Sequence, residues 1–232
     1  MAAGAAADGY EPEPAAAPLV PVIPDLPIWS GLYVNGGVGY GLWTADTTTD
    51  LPNGACVVCN NITHGGRGWL GEIGLGYDVQ LNDKLLIGAL FNYNFSAMSG
   101  TLDDSIGLFG KTNNDSTWFI GARGGWLMNP SVLNYVSVGY TQAHFDGGNL
   151  SSFVTLPGPV TRSSYDAGGW FIGGGLEVAL RGGWFWRSEV RYSDYSKAAL
   201  TETFNGAPAA TLNFDPVVET ATSELVYKFN WH

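Results

Sequence analysis

The sequence predicts an all-β protein: an eight-stranded, antiparallel, up-and-down transmembrane β-barrel, preceded by a Pro/Ala-rich N-terminal extension. Three observations predict it. Apolar residues alternate with small or polar ones at period 2 through eight successive runs. The connections between runs are alternately short and long, as in outer-membrane barrels. Aromatic residues gather near both ends of the runs, where a membrane would have its two interfaces.

Composition agrees. A chain of 232 residues suits one barrel-sized domain. Lys and Arg total 10 against 21 Asp and Glu, and the net charge of -11 argues against a nucleic-acid partner, which needs clustered cations. The 33 Gly, 9 Trp, 11 Tyr and 11 Phe suit a thin wall with lipid outside and a crowded lumen inside. No apolar run reaches the roughly 18 residues of a membrane helix. Met1 to Ala7 lack the basic and apolar regions of a signal peptide and read as the stub of a processed start. From Asp8 to Ile28 the chain is rich in Pro, Ala and Glu, which favours extended polyproline II. The expected division is a periplasmic tether over 1–28 and a barrel over 29–232.

Strands are expected at about 31–44, 66–80, 85–98, 115–128, 133–145, 164–180, 184–197 and 217–231. Leu81-Asn82-Asp83-Lys84, Asn129-Pro130-Ser131 and Arg181-Gly182-Gly183 read as tight turns. The stretches 45–65, 99–114, 146–163 and 198–216 read as long polar loops. Short turns then face the periplasm and long loops the exterior, and an even strand count returns both termini to the periplasmic side. In the second strand Trp69, Ile73, Leu75, Tyr77 and Val79 share one face, against Gly68, Leu70, Glu72, Gly74, Gly76 and Asp78. In the last, Leu225, Tyr227, Phe229 and Trp231 oppose Glu224, Lys228 and Asn230. The apolar face must meet lipid, since a soluble barrel would hold it inside. Tyr77, Trp126, Trp184, Trp186, Phe229 and Trp231 form the expected girdle at the short-turn end. Trp69, Tyr93, Phe95, Trp118, Tyr140, Trp170 and Tyr192 form the one at the long-loop end.

The ordered motifs resemble a known family. Trp29-Ser30-Gly31-Leu32-Tyr33-Val34-Asn35-Gly36-Gly37-Val38-Gly39-Tyr40 is similar to the opening strand of the alphaproteobacterial Omp25/Omp31-type outer-membrane "porin family". Gly121-Ala122-Arg123-Gly124-Gly125-Trp126 is similar to its fourth strand, and Tyr135-Val136-Ser137-Val138-Gly139-Tyr140 to its fifth. Gly168 to Glu177 resembles the sixth, and Glu189-Val190-Arg191-Tyr192-Ser193-Asp194-Tyr195 the seventh. The resemblance covers nearly the whole chain from Trp29. It implies a small OmpA/OmpX-like barrel in the cell outer membrane, assembled by the barrel-assembly machinery and in contact with lipopolysaccharide. It also implies an N-terminus that, as in some members, is attached to peptidoglycan; an unanchored segment is the alternative. Members usually end on an aromatic residue, whereas here His232 follows Trp231.

By strand phase Arg123, Arg187, Arg191 and Lys228 point into the lumen, with Glu72, Glu177, Glu189 and Glu224. These charges can form a salt-bridged plug or an ion path. Eight strands leave an interior only wide enough for side chains, which favours the plug. Cys56 and Cys59 fit a local disulfide of an oxidising compartment better than a zinc site with His64. His144 is the one histidine placed to join a nucleophile–base pair, with Ser151 or Asp146, but no hydrolase motif surrounds it. Gly110-Lys111-Thr112 lacks the earlier glycine and the helix of a phosphate-binding loop. No cofactor or metal is expected. The loop carboxylates Asp46, Asp50, Asp103, Asp104, Glu202 and Asp215 face outward and could meet anionic lipopolysaccharide through divalent cations. The function expected is structural, stabilising the envelope with at most minor pore activity. A surface adhesin or haem-binding barrel acting through the loops stands second, and a lipid A-modifying enzyme third.

Overall fold

A computed structural model describes residues 28–153 and 157–229. The tether expected over 1–28 therefore falls almost wholly outside the described residues, as do Trp231 and His232. Eleven strands follow one another: β1 (Gly31–Asp50), β2 (Cys56–Gln80), β3 (Leu85–Asp103), β4 (Leu108–Asn129), β5 (Val132–Phe145), β6 (Gly148–Ser152), β7 (Val160–Arg162), β8 (Tyr165–Ala179), β9 (Trp184–Tyr195), β10 (Ala198–Phe204) and β11 (Ala207–Phe229).

Eight of them close an antiparallel ring in the order β1-β2-β3-β4-β5-β8-β9-β11, and β11 pairs back onto β1. The predicted fold class and topology are the observed ones. Leu32 lies opposite Phe229 on one side and Tyr77 on the other, so the two ends of the described chain meet at the short-turn rim. The turns there have local causes. Asn82 Oδ1 accepts hydrogen bonds from the backbone N–H groups of Lys84 and Leu85, an Asx turn. Gly182 and Gly183 take φ of 67° and 80°, the left-handed region that favours glycine.

The long connections differ from expectation. They are mostly wall rather than loop. β1 and β2 run on past the expected ends and turn only at 51–55, and β3 and β4 turn at 104–107. Asp104 Oδ1 holds that second turn by accepting from the N–H groups of Ile106, Gly107 and Leu108 at 3.0, 3.0 and 2.8 Å. The last two connections contain β6, β7 and β10, which pair in the order β4-β6-β7-β10-β11 and carry the wall above the tops of β5, β8 and β9. The physical reason is that period 2 survives in these polar stretches. Ala45, Thr47 and Thr49 are buried while Asp46, Thr48 and Asp50 face outward, and β-branched threonines suit a half-buried pleat.

The interior is layered. Trp29, Tyr33, Leu86, Leu127, Leu133, Tyr135, Phe185 and Val226 pack at the short-turn mouth. Leu90, Phe119 and Phe171 form a middle layer. Trp43, Met98, Leu102, Phe145, Leu200, Leu212, Phe214 and Val218 close the outer mouth. Inward glycines make room for these rings and charges. A Cβ on Gly76 would meet the Tyr33 ring at 2.3 Å, and one on Gly88 would meet the Asp78 carboxylate at 2.2 Å.

Candidate functional site: the charged lumen and the outer rim

All eight inward charges read from the sequence lie buried in the lumen, and the structure adds a ninth, Asp78. The same period-2 phase carries Asp78 inward, two residues past Gly76, so its signal was present in the pattern. With it the lumen holds five carboxylates and four cations. They fall into two groups.

The lower group has an excess of cations. Arg123 donates to Asp78 through Nε at 2.8 Å and through Nη2, and to Glu177 through Nη1 at 3.0 Å. Arg187 donates to Glu177 Oε2 from Nε and Nη2 at 3.0 and 2.8 Å. Lys228 Nζ reaches Asp78 at 2.7 Å, Glu177 at 3.0 Å and the Trp29 carbonyl at 3.2 Å. Aromatic faces supply further acceptor character. The Arg123 guanidinium stands 4.8 Å from the Tyr33 ring, and Lys228 Nζ stands 4.9 Å from that of Phe185.

The upper group has an excess of carboxylates. Arg191 pairs with Glu189 at 2.8 Å and Glu72 at 3.3 Å, and lies 4.2 Å from the Phe119 ring. Neutral donors complete the shells. Tyr135 and Ser137 hydroxyls donate to Glu189, Asn92 to Glu72, and Asn35 and Thr222 to Glu224. Arg187 to Glu224, at 3.6 Å, joins the two groups. Charges taken from water need this density of partners, because each unmet one costs several kcal/mol by the general estimate for buried ions, on the order of 3–5 kcal/mol when a partner is lost. A further pair, Arg162 and Glu202 at 2.6 Å, is buried in the wall extension formed by β7 and β10. Strand phase gives no sign of it, since the polar stretches 146–163 and 198–216 that hold these strands read as loop.

Outside, the expected girdle residues Trp69, Trp126, Tyr140, Trp170, Trp184, Trp186 and Phe229 are exposed, and Trp118 is half-buried. They stand in contiguous pairs around the outer belt: Tyr40 with Trp69 (5.3 Å), Trp118 with Tyr140 (5.4 Å) and Trp170 with Tyr192 (5.9 Å). At the inner belt Tyr227 touches both Trp184 and Phe229, at 5.0 Å each.

At the outer rim His144 takes partners other than Ser151, which stands on β6 opposite Phe109. Its Nδ1 lies 2.7 Å from Asp166, and its Nε2 lies 3.5 Å from Asp146. The hydrogen bond to Asp166 raises the imidazole pKa above its ordinary value, against a smaller opposing effect of burial. A raised folded-state value means that the stabilisation is full below the unfolded pKa and fades as pH rises through the folded one. An NMR titration of the His144 ring is expected to give a midpoint above the model-peptide value of about 6.5, and Asp166→Asn to lower it. An unchanged midpoint in the variant would remove Asp166 as the cause.

Cys56 and Cys59 form a disulfide at the tip of the first hairpin, with Cα atoms 5.6 Å apart. The thiolates of a zinc site are thus consumed, and no metal-holding group of three or more ligands occurs among the described residues. Gly110-Lys111-Thr112 lies inside β4, with no helix following it. The loop acids are mostly engaged: Asp46 with Thr63 and Asn61, Asp50 with Asn213, Asp103 and Asp104 with turn N–H groups, and Asp215 with Lys197 at 3.8 Å.

A closed antiparallel ring, apolar and belted with aromatics outside and ionic within, defines an integral outer-membrane β-barrel. The chain belongs to the outer membrane protein beta-barrel domain family, whose model matches residues 27–229. It is 27% identical over 233 residues to the 31 kDa outer-membrane immunogenic proteins of Brucella melitensis biotype 1 and Brucella suis biovar 1, covering 97% of this chain and 92% of each relative. The resemblance to the Omp25/Omp31 type is therefore borne out, and the protein resides in the outer membrane. The outer membrane protein OprG of Pseudomonas aeruginosa shares the fold at 12% identity, with a TM-score of 0.52 over 86% of this chain and 97% of that one.

Proposed function

We propose that the protein is a structural, non-enzymatic barrel that stabilises the envelope and does not serve as a solute channel. One observation carries this reading: the nine-charge network lies between two apolar layers, one at each mouth of the lumen. An ion would have to displace packed rings at both ends and break buried ion pairs between them. The first described strand starts at the short-turn rim, beside the end of β11, and on the proposed topology that rim faces the periplasm, where a link to peptidoglycan would form.

In planar bilayers the purified protein is expected to give no steady conductance. Large, long-lived current steps would defeat the plug. Muramidase release of a barrel carrying a peptidoglycan fragment, found by mass spectrometry, would support the tether. Quantitative recovery of the unmodified chain from purified cell walls by detergent alone would oppose it.

A second reading, surface binding, is favoured by the exposed apolar residues on the extracellular extension. Leu51 and Val57 stand at the first hairpin tip, and Ile106 and Phe153 at the next. Selective loss of binding to host or envelope components in a variant that replaces all four by serine would support it.

A further inference from the structure

Two of the acids expected to face outward are buried instead: Asp104 is 1% exposed and Glu202 0%. They occupy the inward face of the wall extension, two residues beyond Leu102 and Leu200, whose side chains belong to the apolar layer at the outer mouth. Three sides of the wall bring them together. The β3–β4 turn carries Asp104, whose Oδ1 is taken up by the turn's own N–H groups. The Thr49 hydroxyl of β1 donates to the Asp104 carbonyl at 2.8 Å and holds the turn inward. β7 sets Arg162 opposite Glu202 on β10, and Arg162 Nε and Nη2 both donate to Glu202 Oε1, at 2.9 and 2.6 Å.

The remaining oxygens, Asp104 Oδ2 and Glu202 Oε2, have no donor among the described residues, yet the two carboxyl groups stand within hydrogen-bonding reach of each other. Two buried carboxylates at that range repel, and the one buried guanidinium beside them, Arg162, neutralises a single charge. A proton between the acids removes the repulsion and supplies the missing donor. Burial, opposed by Arg162 and reinforced by Asp104, pushes the Glu202 carboxyl up to about 7. The other ionisable groups bordering the cluster are Asp103 on β3 and His64 on β2, which feels both Asp103 and Arg162. Burial lowers the His64 pKa, so its titration acts in the opposite direction.

We infer that Asp104 and Glu202 share one proton and, with Arg162, form a clasp that holds the β3–β4 turn onto β10, closed over the outer mouth in acid and loosened as that proton leaves. The sign follows from linkage. A proton held more tightly in the closed clasp than in the open one favours closure fully below the ordinary carboxyl value of about 4.5, and that advantage is lost as pH rises to about 7.

Hydrogen exchange of the full chain folded in lipid nanodiscs, corrected for intrinsic amide rates, tests this at the amides of Ile106, Gly107 and Leu108. Their protection is expected to fall by up to about tenfold per pH unit between about 4.5 and 7 and to level off above, the slope of one linked proton. Glu202→Gln keeps a donor for Asp104 at every pH and should hold protection flat. Asp104→Asn preserves the turn's acceptor, offers Glu202 an amide donor and should shrink the slope. Infrared spectra at mildly acidic pH should show a carboxylic-acid C=O band in the wild type that Glu202→Gln lacks. Heat-modifiable gel mobility verifies that each variant is folded. Flat wild-type protection, a slope that survives Glu202→Gln, or a wild-type spectrum with no band beyond that of the variant overturns the clasp. A slope of opposite sign overturns it as well and assigns the pH response to His64. A full slope in Asp104→Asn overturns the shared proton.

Discussion

Replacing Glu177 by alanine is expected to destabilise the barrel by about 3–5 kcal/mol, the usual cost of leaving buried charges without their counter-ion. Glu177 accepts from Arg123 and Arg187 and lies 3.0 Å from Lys228, so its loss leaves three cations with Asp78 as the one carboxylate of the lower group. Asp78 still partners Arg123 and Lys228, but Arg187 is left with Glu224 at 3.6 Å. The expected readout is a urea midpoint in lipid vesicles well below that of the wild type, followed by tryptophan fluorescence. Adding Lys228→Met should recover part of the loss, because it removes one of three like charges left around Asp78 along with its desolvation, and coupling of this sign is what a double-mutant cycle detects. A midpoint equal to that of the wild type in Glu177→Ala would show that the network is not what holds the wall together.

Trp43→Ala is expected to cost a comparable 3–5 kcal/mol for a different reason, the cavity left by a large buried ring. Trp43 is fully buried at the outer mouth, with the Phe145 and Phe214 ring centroids 6.2 and 6.0 Å away. The same variant separates stability from permeability. Its urea midpoint should fall while bilayer conductance stays absent, since the ion network and the layer around Trp29, Tyr33 and Phe185 still fill the lumen below. If the variant opened a steady pore, the outer layer alone would be the barrier.

Most of the ring was legible because alternation is a strong signal where one face must meet lipid and the other a crowded lumen. β3 shows this plainly, with Ile87, Phe91 and Phe95 outward and Asn92 and Asn94 inward. Above the membrane the outer face becomes polar too, so contrast between the faces falls and the pattern fades into what looks like loop. Thr47 and Thr49 were lost in this way, although they are as buried as core residues. Arg162 and Glu202 were lost for the same reason, and their contact also joins strands 40 residues apart. Asp78 was on the correct face and still went uncounted, because phase gives direction and not partners.

The lumen contacts join distant parts of the chain. Arg191 meets Glu72 across 119 residues, Lys228 meets Asp78 across 150, and Asn35 meets Glu224 across 189. Until β11 docks on β1, Asp78 lacks Lys228 and Glu224 lacks Asn35. A partly inserted chain would thus carry ionised groups without their partners. Every intermediate short of closure is penalised, and contacts of such span form late in folding. A chain truncated before β11 is expected to lack these pairs, and its absence from the folded, heat-modifiable fraction would mark the seam as the step that completes the barrel.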